Sequence, residues 1–137
     1  MAKASLDMVA CGLDEMFLAT LTTEGTLAER LDRMFSALDR YYESGQMGCL
    51  LAVFALQRGG HGLSGRVASL FDKWIASLAA LCRDAGIPDG DQRAETAIIL
   101  IQGGLVLAAG LGRPDPFRRA LVQAGKTMLA ECISYAN

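Results

Sequence analysis

The sequence predicts an all-α domain of about six helices, an expectation carried by three observations. Apolar residues recur at three- and four-residue steps through most of the chain, the spacing that lines one face of a helix. No pair of alternating apolar stretches is present from which a sheet could be built. Ala97 to Leu111, AIILIQGGLVLAAGL, is apolar on every side, with Gln102 its only strongly polar side chain. A surface helix of a soluble protein carries a charged outer face, so this one needs cover all round. It is shorter than the roughly 20 residues that span a bilayer, and Arg93, Glu95 and Arg113 stand close by. The expectation is a helix packed on its own domain by one face and on a partner by another, with no membrane; the alternative is the central helix of a monomeric bundle. Gly103, Gly104 and Gly110 favour the first, since each costs about 1 kcal/mol of helix propensity relative to Ala and, lacking a Cβ, admits another backbone.

The remaining elements follow in order. Leu6, Val9, Leu13, Phe17 and Leu21 mark a first amphipathic helix, broken by Thr22-Thr23-Glu24-Gly25. Thr26-Leu27-Ala28-Glu29 is a capping box opening a second helix, whose stripe is Leu27, Leu31, Met34, Phe35, Leu38 and Tyr42. Ser44-Gly45-Gln46 ends it. The run Cys49 to Leu56 is uninterruptedly apolar, so its period does not separate helix from strand; its Leu and Ala content favours a buried helix, stopped by Gly59-Gly60. Leu63, Val67, Leu70, Phe71, Trp74, Leu78, Leu81 and Cys82 form the stripe of a long helix, with Arg66, Asp72, Lys73, Arg83 and Asp84 outside it. Gly86 to Gly90 is a turn by composition. The apolar helix begins near Asp91 and closes at Gly112-Arg113-Pro114. Asp115 then serves as N-cap, with Pro116 at the first helical position, and Phe117, Leu121, Ala124, Met128, Leu129 and Cys132 carry the last helix almost to Asn137.

A chain of 137 residues suits one domain with a real core. Apolar residues make up 52%, with 15 glycines besides, more than a monomer readily hides, which again favours a homo-oligomer. The net charge of -2 leaves no basic footprint for nucleic acid. Cys11, Cys49, Cys82 and Cys132 are scattered without a C-x-x-C pair, as reduced core cysteines of a cytoplasmic protein are. The lone His61 has no companion ligand at metal-binding spacing and no material for a catalytic triad. Asp14-Glu15 and the Asp89, Asp91 pair read as solvated acids. The glycines of RGGHG, QGG and GRPDP match neither a phosphate loop nor a dinucleotide fingerprint. Neither an enzyme, nor a metal, nor a cofactor is expected. The N-terminal stretch is broken early by acids and is no convincing signal peptide.

What remains is a pocket. Small-molecule sites are mostly apolar, with a few polar groups that orient the ligand. The inward stripes place Phe71 and Trp74 on the long helix, Cys49 and Val53 on the short one, and Met34, Leu38 and Tyr42 opposite. Gln102 supplies an amide that must bond to protein, water or ligand, since burying it unpaired costs about 1–3 kcal/mol. Each of these side chains taken singly also reads as plain core.

The order of elements resembles a known family. Gly48-Cys49-Leu50-Leu51 opens a short apolar helix after one ending in Tyr41-Tyr42. A long helix with Phe71-x-x-Trp74-x-x-x-Leu78-x-x-Leu81 follows, then two glycine-bearing apolar helices. This resembles the C-terminal regulatory domain of the tetracycline-repressor-like (TetR) transcriptional regulators, in the branch that carries a G-C-L-L element. Lys3-x-x-Leu6 is similar to the K-x-x-L that begins that family's connecting helix. The family's N-terminal helix-turn-helix, about 50 residues, has no counterpart here, so operator DNA is expected as a partner only through that missing module. The resemblance implies a homodimer whose last two helices pair with their mates in a four-helix bundle. It also implies a small apolar or aromatic effector in a cavity among the earlier helices, whose binding shifts the first helix and releases DNA in the intact protein. Ile99, Gly103, Gly104, Val106, Leu107, Gly110, Leu121 and Met128 are the expected interface residues. The rival expectation is a helical interaction module that senses nothing.

Overall fold

The computed structural model describes residues 24–45 and 64–129, together with Asp7, Met8, Cys11, Gly12, Glu15 and Ala19, which are all helical. The fold is all-α: the described residues hold four α-helices and no strand. The helix expected over Cys49 to Leu56, its Gly59-Gly60 stop and the end of the last helix beyond Leu129 lie outside the described residues.

Helix α1 spans Leu27–Tyr41. Thr26 caps it: its hydroxyl accepts from the Glu29 N–H at 3.2 Å and donates to Glu29 Oε1 at 3.1 Å. The box therefore closes hydroxyl to carboxylate, whereas in the usual reciprocal bond the cap backbone N–H donates to the acid. Leu31, Met34, Phe35 and Leu38 turn inward. A single 3-10 turn, Glu43–Gly45, follows, with all three residues at positive φ. Gly45 is buried here. A Cβ on it would meet those of Ala108 and Phe117 at 2.6 and 2.7 Å, so only glycine lets this turn seat against the later helices.

Helix α2, Ser64–Asp84, carries the expected stripe from Val67 onward, Leu63 lying outside the described residues: Val67, Trp74, Leu78, Leu81 and Cys82 are buried, while Leu70 and Phe71 are partly so. Its connection to the next helix turns at Gly86 and Asp89, both left-handed.

Helix α3, Gly90–Leu111, is the centre of the fold, packing on α4 along one side and on α2 along another. Ala94, Ala97, Ile98, Ile101, Gly104, Leu105 and Ala108 form its buried face. At 22 residues with a mean hydropathy of 1.7 over its most apolar window, it is by length and composition long enough to cross a membrane. The helix begins at Gly90, one residue before the expected Asp91, and ends at Leu111, just before the expected Gly112 stop. Gly112 ends it in the left-handed conformation, its N–H and that of Arg113 both reaching the Ala108 carbonyl.

Helix α4, Asp115–Leu129, folds back antiparallel to α3. Arg93 at the start of α3 donates to the Thr127 carbonyl at the far end of α4 at 2.9 Å, and Gly104 lies against Ala120. The Pro114 carbonyl accepts from the Arg118 N–H, which makes Pro114 the cap, Asp115 the first helical residue and Pro116 the second. The expected cap moves by one residue, and Asp115 still stands in the first turn where an anion is favoured. Phe117, Ala124 and Met128 complete the core, with Cys82 donating its thiol to Met128 Sδ at 3.9 Å.

Candidate functional site

Two surfaces of the described residues stand out. One is the outer face of α3. Ile99, Val106 and Leu107 are 63, 60 and 56% exposed, too large a set of aliphatic groups on one stripe to be incidental. Gly103 and Gly110 share that stripe, and a Cβ on either would meet nothing within 4 Å. The spacing 99, 103, 106, 110 advances by four, three and four residues, so these positions stack over three turns on one face.

Three residues expected on this interface face elsewhere. Gly104 is buried against the protomer's own α4, where an added Cβ would collide with the Ala120 side chain and come within 3.1 Å of the Pro116 carbonyl. Leu121 and Met128 are buried core residues of α4. The correction has a simple cause: Gly104 sits one position, about 100°, round the helix from Gly103. In an all-round apolar helix, composition does not distinguish the side that packs on α4 from the side left open.

The second surface is a groove of about 710 Å³ between α1 and α4. Leu31 and Phe35 from α1 and Leu121 from α4 form its apolar floor. Asp32, Ser36 and Asp39 line the α1 wall, while Arg118, Val122, Lys126 and Leu129 line the opposite one. Gly125 opens the space: a Cβ there would stand 3.3 Å from the Phe35 ring. No ion pair among the described residues joins the acidic wall to the basic one. Arg118 instead donates to Ser44 Oγ at 3.1 Å. Asp39 Oδ1 is shut off from water and has no hydrogen-bond partner among the described residues.

The described residues of the expected pocket are not in this groove. Met34, Leu38, Tyr42 and Trp74 belong to one buried cluster, with Phe71 packed on its edge, and Gln102 is half-buried on α3. Tyr42 makes edge-on ring contacts with Tyr41 and Phe117. Cys49 and Val53 lie outside the described residues, as does His61. None of the six expected ligand residues that are described lines the groove. Sequence reasoning therefore missed the groove. The available signal was the polar Asp32, Ser36, Asp39 stripe beside the buried face of α1; what it lacked was the pairing of α1 with Gly125.

Among the described residues no group of three or more His, Cys, Asp or Glu is placed to hold a metal. Cys11 is an exposed thiol and Cys82 a buried one. Burial pushes the Cys82 thiol above its ordinary value, and the Arg93 charge opposes that shift more weakly. No family model matches the chain, and neither does any curated protein or any solved structure.

Proposed function

We propose that this chain is the dimerisation and effector-sensing domain of a tetracycline-repressor-like regulator, acting as a homodimer in the cytoplasm. The observation that carries the proposal is the open aliphatic stripe of α3. Ile99, Val106 and Leu107 are more than half exposed, and Gly103 and Gly110 leave room for a second backbone. Two such stripes crossing in an antiparallel pair, with α4 alongside, make a helical bundle driven by burial at about 25 cal/mol per Å². The G-C-L-L element and the order of helices supply the regulatory part of the reading. An effector that binds one spacing of the two first helices better than the other would then shift the linked DNA readers, which must match half-sites about 34 Å apart.

The test is a fusion of the full chain behind a helix-turn-helix module that binds its operator only as a dimer. Repression of a reporter is expected, with its loss in Val106→Arg. A fusion that leaves the reporter fully active would sink the proposal.

A second reading, a dimerisation module without an effector, is favoured by the closed packing of Met34, Leu38, Tyr42 and Trp74 in the core. Trp74 fluorescence separates the two. Under the sensing reading it responds saturably to a panel of small aromatic and apolar compounds, and Gln102→Leu changes which compounds act. A flat response across the panel selects the second reading.

A further inference from the structure

The α1–α4 groove combines three properties that rarely coincide by chance. Its volume, about 710 Å³, falls within the range of small-molecule sites, roughly 300–1,000 Å³. Its floor is apolar, through Leu31, Phe35 and Leu121. Its α1 wall holds a carboxylate oxygen, Asp39 Oδ1, that is shut off from solvent and has no hydrogen-bond donor among the described residues. A buried acceptor without a donor is costly, so native structures leave few of them.

We infer that this groove is a binding site for a small amphipathic organic cation, whose ammonium group bonds to Asp39 and whose apolar body lies along Phe35, Leu121 and Leu129. The chemistry follows from the walls. An ionised carboxylate only accepts hydrogen bonds, so its missing partner is a donor, and a charged donor makes the shortest and strongest such bond. Asp32, two turns before Asp39 on the same wall, reinforces the preference for positive charge. Arg118 and Lys126 across the groove oppose it. Both are exposed, however, and Arg118 is engaged by Ser44, so solvent and salt screen them, whereas the Asp39 oxygen is out of water. A side-chain carboxylate turns easily about its last torsion, which lets the oxygen meet a donor entering from the groove. Gly125 keeps the space beside Phe35 clear for a flat hydrocarbon.

The site goes beyond the proposed function, since it needs neither a dimer nor a DNA reader. The closing experiment is accordingly blind to both. The probe is dansylcadaverine, a naphthalene body on an aminoalkyl chain, titrated into the full-length protein at moderate salt and followed by its own emission. Its N-acetylated counterpart, with the same body and no charge, is the control. Saturable binding of the ammonium probe is expected, weakened about tenfold by acetylation and by a similar factor in Asp39→Asn, the scale of one lost charge-assisted bond. The acetylated probe should not distinguish Asp39→Asn from the parent chain. Val122→Arg, on the exposed wall, should also weaken the ammonium probe by placing a like charge there; it carries the test if Asp39→Asn loses its helical circular dichroism. Equal binding of the two probes, or no saturable binding of either, overturns the inference. So does sedimentation in which Val122→Arg turns a dimer into a monomer, because the groove would then belong to a second copy.

Discussion

Gly104 shows how one missing Cβ sets the distance between two helices. Its neighbours are the Ala120 side chain, the Pro116 carbonyl and the Phe117 Cα, two of them backbone atoms that cannot swing aside. Helix propensity alone favours Gly104→Ala by about 1 kcal/mol. Overpacking a tight contact typically costs about 1–3 kcal/mol, so the steric term wins. Gly104→Ala should therefore lower the thermal midpoint. Gly65→Ala, where an added Cβ meets nothing within 4 Å, should hold or raise it. A raised midpoint for Gly104→Ala would mean that α3 and α4 are not seated this closely. The sequence offered no means of ranking Gly103 against Gly104, since adjacent glycines in an apolar helix look alike. Thr26 was legible to the residue because a cap is a local interaction, made within three positions of chain.

At the scale of elements, α1, α2 and α3 were legible within a residue or two at their described ends. Each carries either a clean stripe or an unbroken apolar run bounded by glycine or a cap. The α1–α4 pairing was not legible, because a contact between distant helices depends on the paths of the segments between them. The packing of α2 against α3 and α4 carries a pH consequence through Cys82, buried among Gly90, Met128 and the Arg93 end of α3. Its folded thiol titrates above the ordinary value of 9.0, so the folded state holds the proton longer than the unfolded one. The sign follows: this contribution to stability is complete below pH 9 and is lost as pH rises through the folded value. Cys82→Ala costs packing at every pH. Its stability deficit relative to the parent chain, measured by denaturant unfolding, should shrink from pH 8 to pH 10.5. A deficit that stays constant across that range would remove the thiol from the alkaline response.

At the scale of the whole molecule, the proportion of apolar residues already implied more apolar surface than one copy covers. The structure shows where that surplus lies, on the outer stripe of α3 and along the groove. Five of the eight expected interface residues, Ile99, Gly103, Val106, Leu107 and Gly110, are exposed, as the proposed mate-facing stripe requires. Gly104, Leu121 and Met128 were not, because a helix that buries two faces looks uniform in sequence, and only the pairing of α3 with α4 divides them. The proposed dimer depends on a single physical claim, that the open stripe is covered by a second copy. Sedimentation equilibrium of the full chain between about 1 and 50 µM tests it most directly, since hydrophobic association of this kind gives micromolar or tighter binding. A dimer mass is expected for the parent chain, and a monomer mass with unchanged helical circular dichroism for Val106→Arg, which sets a charge in the middle of the stripe. A parent chain that sediments as a monomer across that range, or a Val106→Arg variant that remains dimeric, would contradict the account.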